Sequence, residues 1–268
     1  DRLASAYIHQ SYDAQPDSGE ITAASLAILR RGLGETGARQ LAANPRIRQH
    51  IVAARGRGPC GSDRRLLLAP GLASAAAGNV LDRRLLQLAF QRVVFSSGAG
   101  GVPGLALRDF ATHRAQLTAR NAEKVLLATA SIPLLLNGVT DIENAPPGLY
   151  WDGGIIDYHF DLRPYDGEGL VLFPHFSSNI VPGWFDKALR RRHTRPDAID
   201  NLILLSPDPA FVASLPAGKI PDRSDFHRFS TAQRVANWET CLQRGEELAN
   251  AFRRLVEGDD PMRGVVTP

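Results

Sequence analysis

Apolar residues recur along this chain in two kinds of pattern, which together predict a fold in which helices and short strands alternate. Six segments are predicted helices, most of them with apolar side chains three or four residues apart; they are residues 2–11, 21–33, 35–43, 82–90, 122–130 and 232–256. Five short apolar or β-branched runs are predicted strands; they are residues 48–54, 92–96, 149–156, 170–174 and 202–205. Short apolar strands between helices indicate an α/β protein with a mostly parallel sheet.

Proline and glycine mark the interruptions in this pattern. Residues 66–77 form a weak helix that Pro70 is expected to break. The glycine-rich residues 97–104 and the proline- and aspartate-rich residues 206–226 are predicted connections. Four apolar residues in a row at 202–205 suit a strand that is covered on both faces. We interpret the 268 residues as a single domain.

Composition and charge are those of an ordinary globular protein with a mildly basic surface. Apolar residues make up 44% and charged residues 22% of the chain, and the net charge is +3. A charge of this size suits anionic lipid or nucleic acid only weakly and suits solubility equally well. The expected partner is a lipid or ester substrate, with peripheral membrane contact as an open option and no nucleic acid. No apolar run reaches the roughly 18 residues of a membrane-spanning helix, so a cytoplasmic or peripheral location is favoured over an integral one. Cys60 and Cys241 are predicted to be reduced thiols, and no cofactor is expected.

The segment with the clearest candidate chemistry is 126–161, LLATASIPLLLNGVTDIENAPPGLYWDGGIIDYHFD. A predicted strand delivers Asp152 into Gly153 and Gly154, which allow positive φ and a close approach of backbone or substrate. A carboxylate in that position can act as the base that a serine hydroxyl needs in order to become a nucleophile. By itself, Asp-Gly-Gly is also an ordinary β-turn sequence.

The two turns of this segment, Ala-Ser-Ile-Pro at 130–133 and Asp-Gly-Gly at 152–154, lie about twenty residues apart. In order and spacing they resemble the second half of a patatin-like phospholipase domain, and the resemblance is close over residues 122–182. It implies a three-layer α/β/α fold and a lipid acyl hydrolase of the phospholipase or esterase type with a Ser-Asp dyad. Asp152 would be the base of that dyad, and Gly153 and Gly154 would shape its turn. Phospholipids, neutral lipids and small esters are all compatible substrates.

The chain departs from the family pattern in two places. Residues 157–160 are Asp-Tyr-His-Phe where the family often has Asn and then Pro. The sequence also has no G-x-S-x-G nucleophile elbow and no glycine-rich oxyanion loop ahead of it. We expect the serine upstream of residue 1, so that the chain lacks the N-terminal, nucleophile-bearing segment and is inactive alone. The alternative is a catalytically inactive patatin-like module that binds lipid or protein.

Two glycine-rich segments are weaker candidates. Residues 96–101, SSGAGG, follow a predicted strand but lack the glycine two positions before the serine, which predicts a flexible loop. Residues 56–61, GRGPCG, match G-x-G-x-x-G after a strand, with Asp82 about twenty residues on. Because Pro59 removes an amide and Pro70 interrupts the following helix, nucleotide binding is only the second alternative.

Alternating polar residues and an aromatic pair complete the candidates. Asp157, His159 and Asp161 would share one strand face, which we interpret as solvent-facing, with a metal site that includes His175 or substrate-side polar groups as alternatives. Trp184 and Phe185 stand near the arginine-rich residues 190–195. Ordinary packing of this aromatic pair is favoured over contact with a lipid interface.

Overall fold

The computed structural model describes residues 2–12, 15–98, 107, 109, 111–160, 162, 165–195, 199 and 201–266. Helices and strands alternate along them, so the protein is mixed α/β. The helices are Arg2–Ile8 (α1), Ser18–Leu33 (α2), Gly37–Ala43 (α3), Arg65–Leu81 (α4), Leu86–Ala89 (α5), Ala122–Ala130 (α6), Pro209–Ala213 (α7), Asp225–Arg228 (α8) and Thr231–Val256 (α9). The strands are His50–Gly56 (β1), Phe90–Ser96 (β2), Thr112–Gln116 (β3), Tyr150–Asp152 (β4), Val171–Pro174 (β5) and Leu202–Leu205 (β6).

The chain divides into two compact units. The first comprises Asp1–Ala6, Tyr12–Glu168 and Ile180–Thr194, and the second comprises Tyr7–Ser11, Gly169–Asn179 and Arg195–Pro268. Each unit has its own sheet, and the candidate aspartate belongs to the first. The interpretation of the chain as a single domain remains a prediction, because compact units do not by themselves define domains.

The sheet of the first unit has the strand order β3-β2-β1-β4. Strand β1 is antiparallel to both of its neighbours, pairing Val52 with Val94 of β2 and Ala53 with Asp152 of β4. Strands β2 and β3 are parallel. The pairing is therefore mixed, and the expectation of a mostly parallel sheet is met only at β2–β3 and at the separate pair β5–β6.

Helices cover both faces of this sheet. On one face, Ala54, Phe90 and Trp151 pack in a buried cluster with apolar residues of α4 and α5. On the other face, Ala53 and Phe95 pack with apolar residues of α6. The alternation of side chains along each strand thus supplies two separate cores, one under each helix layer.

Several elements differ from the sequence prediction. Helix α4 continues through Pro70, because Pro70 is exposed on its outer side while Leu68 and Leu72, two positions away on either side, are buried in the core. Strand β6 is half-buried along its length and not covered on both faces, since it belongs to a two-stranded sheet in which each strand is an edge. Residues 206–226 contain α7, which Asp208 caps at its N-terminus, and the start of α8.

Candidate functional site

Asp152 is the last residue of β4, an edge strand of the sheet, and it pairs with Ala53 in the middle of β1. Its side chain is half-buried, and its Oδ1 accepts a hydrogen bond from the backbone N–H of Gly154 at 2.7 Å. This bond fixes the direction of the carboxylate. The strand thus ends in an oriented carboxylate at a sheet edge.

The two turns that carry the family resemblance meet at this point. The backbone N–H of Asp152 donates to the carbonyl of Ser131 at 2.9 Å, immediately after α6 ends. Two residues earlier, in the last turn of α6, the Thr129 hydroxyl donates to the carbonyl of Val52 in β1 at 2.7 Å. The Ala-Ser-Ile-Pro turn, the Asp-Gly-Gly turn and the central strand β1 therefore form one hydrogen-bonded unit.

Glycine is required at position 153 because a side chain would not fit there, and not because the backbone needs a positive φ. Gly153 and Gly154 begin a short 3-10 helix, Gly153–Ile155, and neither has a positive φ. A Cβ on Gly153 would lie 2.2 Å from the carbonyl oxygen of Val52, which no side chain tolerates. At Gly154 the nearest atom would be Oδ1 of Asp152, at 3.1 Å. The expected close backbone approach is therefore present at Gly153, whereas the expected positive φ is absent.

The hydroxyls of Ser96 and Ser131 bond to groups other than Asp152. Ser96 is 5% exposed, and its Oγ lies 2.8 Å from Nδ1 of His50, its cross-strand partner. Since His50 and Ala53 are an odd number of positions apart on β1, the Ser96 and Asp152 side chains leave opposite faces of the sheet. Ser131 is fully buried, and its hydroxyl donates to the carbonyl of Leu127 at 2.9 Å.

The Ser96–His50 pair was not predicted from the sequence. Burial lowers the pKa of His50 below its ordinary value, and the nearby charges of Arg48 and Arg114 lower it further. The ring is therefore neutral at pH 7 and able to share a proton with Ser96. Ser97 is equally buried, with its Oγ accepting from the N–H of Gln49 at 2.8 Å. Residues 99–101 of the predicted flexible loop lie outside the described residues.

Asp157 is part of a buried ionic network, so the solvent-facing interpretation was wrong. The Arg92 guanidinium donates to both of its oxygens, at 2.6 and 2.7 Å, and also to Asp109 at 2.6 and 3.0 Å. Arg92 is 1% exposed. Burial alone would lower the pKa of Arg92, but the two carboxylates raise it above its ordinary value. Burial raises the pKa of Asp157, and the charge and hydrogen bonds of Arg92 act in the opposite direction. Two short hydrogen bonds from one guanidinium to one carboxyl group are typical of an ionised pair.

The network extends through Arg83 to the segment that follows Gly183. Arg83 donates to the carbonyl of Ile156 at 2.6 Å and lies 3.4 Å from both Asp157 and Asp186. Asp186 is fully buried and also accepts from Asn79 of α4 at 2.8 Å and from Arg192 at 3.1 Å. These bonds tie the residues just after Asp-Gly-Gly to β2, to α4 and to the Trp184 segment.

The metal alternative for Asp157, His159, Asp161 and His175 has no support among the described residues. His159 is buried and accepts from the N–H of Val181 at Nδ1, at 2.8 Å, in a segment beyond the end of β4. Asp161 lies outside the described residues, and His175 belongs to the other compact unit. Over the part of the chain that the structure describes, no three His, Cys, Asp or Glu side chains are grouped as metal ligands would be.

The G-x-G-x-x-G segment folds back on itself. Gly58–Gly61 is a 3-10 helix, and a Cβ on Gly56 would lie 2.0 Å from the carbonyl oxygen of Cys60. Asp82 accepts from the N–H of Arg84 at 2.8 Å and begins the next 3-10 turn instead of ending a strand. Cys60 is buried, which raises the pKa of its thiol to about 11. The glycines here serve local packing.

Trp184 and Phe185 confirm the packing interpretation, since both are half-buried against the apolar cluster under α4. Within the arginine-rich segment, Arg190 and Arg191 are exposed, whereas Arg192 is held by Asp186. An open pocket of about 310 Å³ lies beside the end of α2 and the start of α6, and Asp152 is not among its lining residues. Its two arginines, Arg30 and Arg120, are paired with glutamates.

Comparison with known proteins adds no relative. No protein-family model matches the chain, and neither the curated proteins nor the solved structures contain a match. In the described residues, no helix combines the length and the apolar character required to cross a membrane.

Proposed function

We propose that this chain is the aspartate-bearing part of a patatin-like lipid acyl hydrolase, in which Asp152 is the base of a Ser-Asp dyad. The observation that carries the proposal is the 2.9 Å hydrogen bond from Asp152 to the carbonyl of Ser131. It joins the two turns on which the family resemblance depends, although residues 134–151 lie between them in the sequence. The nucleophilic serine would come from a segment outside these 268 residues.

The proposed chemistry needs only a carboxylate, a hydroxyl and water. Asp152 accepts the serine proton as the serine oxygen bonds to the acyl carbon, and the alcohol part of the ester leaves with that proton. Water then gives a proton to Asp152 and attacks the acyl-enzyme, which releases the fatty acid and restores the serine. The bond from Gly154 N–H holds the carboxylate in one direction through both steps.

Intact-mass labelling with a fluorophosphonate tests the nucleophile. We expect one adduct on the protein extended upstream of residue 1 and none on the 268-residue chain. Labelling of neither form would overturn the hydrolase proposal and favour the inactive lipid- or protein-binding module. Labelling of the 268-residue chain that is lost in Ser96→Ala would instead assign the nucleophile to the Ser96–His50 pair.

Ester hydrolysis by the extended protein tests the base. Asp152→Asn keeps an oxygen acceptor for Gly154 N–H but removes the basic carboxylate, so we expect at least a hundredfold loss of kcat with an unchanged thermal midpoint. Asp82→Asn is the matched control, because Asp82 makes the same bond to the N–H two residues on, at 2.8 Å. Wild-type turnover by Asp152→Asn would contradict the dyad.

A further inference from the structure

Helix α4 is apolar on the side that faces the core and also on the side that faces outward. Its buried residues include Leu68, Leu72 and Ala75. At 100° per residue, the opposite half of the helix carries no charged side chain. We call the exposed residues of this half the α4 outer face; they are Leu66, Leu67, Pro70, Ala73, Ser74, Ala77, Val80 and Leu81. A surface helix ordinarily has charged and polar residues there, and Ser74 is the one polar member.

The leucines at the two ends of the α4 outer face are almost fully exposed to solvent. Leu66 is 91% exposed and Leu81 is 81% exposed, at the two ends of the helix, and Leu88 of the neighbouring α5 is 72% exposed. Single exposed leucines are common on protein surfaces, but a helix face without charge along 17 residues is not.

Arginines stand at both ends of this face. Arg64 and Arg65 are exposed where α4 begins, and Arg84 is exposed just after it ends. Arg191 is tied to the last turn, because its Nη2 donates to the carbonyl of Val80 at 2.6 Å. Asp63 and Asp82 are the neighbouring acidic side chains, and Asp82 caps the following turn. Cationic groups thus bracket the apolar strip.

We infer that the α4 outer face docks the protein on a bilayer surface that contains anionic lipid. The leucines would enter the acyl boundary, and the arginines at the two ends would contact lipid phosphates. This charge pattern favours a bilayer over a second copy of the chain, since two copies would bring the same arginines together. The inference does not depend on the proposed hydrolase chemistry, although a lipid substrate would be reached from such a surface.

Vesicle flotation of the 268-residue chain and of the upstream-extended protein tests the inference. We expect both to float with vesicles of phosphatidylcholine and phosphatidylglycerol and to float weakly with phosphatidylcholine alone. Leu66→Gln with Leu81→Gln should lower the partition coefficient roughly tenfold or more, because each leucine loses its burial in lipid. Arg64→Gln with Arg65→Gln should lower it only for the anionic vesicles, again about tenfold.

Matched controls replace an exposed leucine and an exposed arginine that lie outside the α4 outer face. Leu170→Gln changes a leucine that is 65% exposed just before β5, and Arg254→Gln changes an exposed arginine in the last turn of α9. Both should float like wild type. All variants replace exposed side chains, and an unchanged thermal midpoint will confirm that each is folded.

Three outcomes would overturn the inference. The first is an absence of flotation with anionic vesicles, and the second is equal flotation by the leucine double variant. The third is flotation by the 268-residue chain that is lost in the extended protein, which would show that an upstream segment covers the face. Self-association that Leu66→Gln and Leu81→Gln abolish, without vesicle binding, would assign the face to a second copy. Because flotation needs no turnover, it is separable from failure of the fluorophosphonate test.

Discussion

At the scale of single residues, Arg92 and Asp157 hold the segment after the candidate aspartate in place. Both side chains are almost fully buried, so each charge depends on the other for compensation. Asp157 lies five residues beyond Asp152, and its partner is on β2. The pair therefore connects the Asp-Gly-Gly turn to the sheet from the face opposite to α6.

Removing both members of this pair should cost less than the sum of removing each one alone. Asp157→Leu leaves Arg92 buried with Asp109 as its remaining bidentate partner, and we expect a loss of about 3–5 kcal/mol in the free energy of unfolding. Arg92→Met with Asp157→Leu should lose less than the sum of the single variants. Urea unfolding of the four proteins measures the coupling, and additive losses would contradict a compensating ion pair.

Gly153 is the position where one methyl group should matter most in the candidate site. Its Cβ would overlap the carbonyl of Val52, so Gly153→Ala should lower the free energy of unfolding by about 1–3 kcal/mol. The control is Gly245→Ala in α9, where no atom lies within 4 Å of the new Cβ. There alanine should stabilise the helix by about 1 kcal/mol. Equal effects in thermal unfolding would refute the steric argument.

Asp222 gives the second compact unit a dependence on acid pH. Bonds from Ser224 and Lys219 lower the pKa of its carboxyl to about 2. A carboxylate whose pKa is lower in the folded state stabilises the fold above its ordinary pKa of about 4, and this stability is lost as pH falls toward 2. Asp222→Asn should therefore have a lower thermal midpoint than wild type at pH 7, with the difference vanishing near pH 2. Asp259→Asn, at an exposed position, should show no such convergence.

The sequence identified only part of the candidate site. Asp152 and the turn at Gly153 could be predicted, because a strand end followed by glycines is a local pattern. The partner of Asp157 could not, since Arg92 lies 65 positions away and pairing depends on strand register. The contact between His50 and Ser96 could not be predicted for the same reason, since it depends on the register between β1 and β2.

At the scale of elements, α4 shows how tertiary packing overrides a local signal. Pro70 lacks the N–H that would bond to Leu66, yet the helix runs unbroken from Arg65–Leu81. Leu66 is exposed, so water can satisfy its carbonyl, while Leu68 and Leu72 contribute their burial to the core. The helix therefore tolerates a proline that the sequence alone predicted would break it.

Replacing this proline should strengthen the helix without altering its surface character. Pro70→Ala restores the missing donor on an apolar, exposed position, and we expect a gain of about 1–3 kcal/mol in the free energy of unfolding. Vesicle flotation should stay at the wild-type level, since alanine is also uncharged. A lower thermal midpoint would show that Pro70 instead relieves strain in α4.

Element by element, prediction succeeded where the pattern was local. Helix α6 and strand β6 have the bounds that their apolar spacing indicated. Strand β3, with the sequence THRAQ, was missed because four of its five side chains are not buried and its apolar signal is weak. The antiparallel direction of β1 was also beyond reach, since it depends on chain topology and not on the composition of the strand.

At the scale of the whole molecule, attraction to an anionic membrane depends more on where the charges lie than on the net charge. A net charge of +3 on 268 residues produces only weak attraction to an anionic surface. Arg64 and Arg65 at one end of the α4 outer face, with Arg84 and Arg191 at the other, concentrate positive charge beside exposed leucines. Attraction and apolar burial would then act at the same place.

This arrangement predicts how salt changes vesicle binding. Between 0.1 and 1 M salt the screening length falls from about 10 to about 3 Å, so the contribution of the arginines should disappear while that of the leucines persists. Wild type should lose about tenfold in its partition coefficient and still bind. Arg64→Gln with Arg65→Gln should show a shallower salt dependence, whereas Leu66→Gln with Leu81→Gln should keep the wild-type slope from a lower starting value. Complete loss of wild-type binding at 1 M would mean that the leucines never enter the bilayer, and that the α4 outer face is only an electrostatic contact.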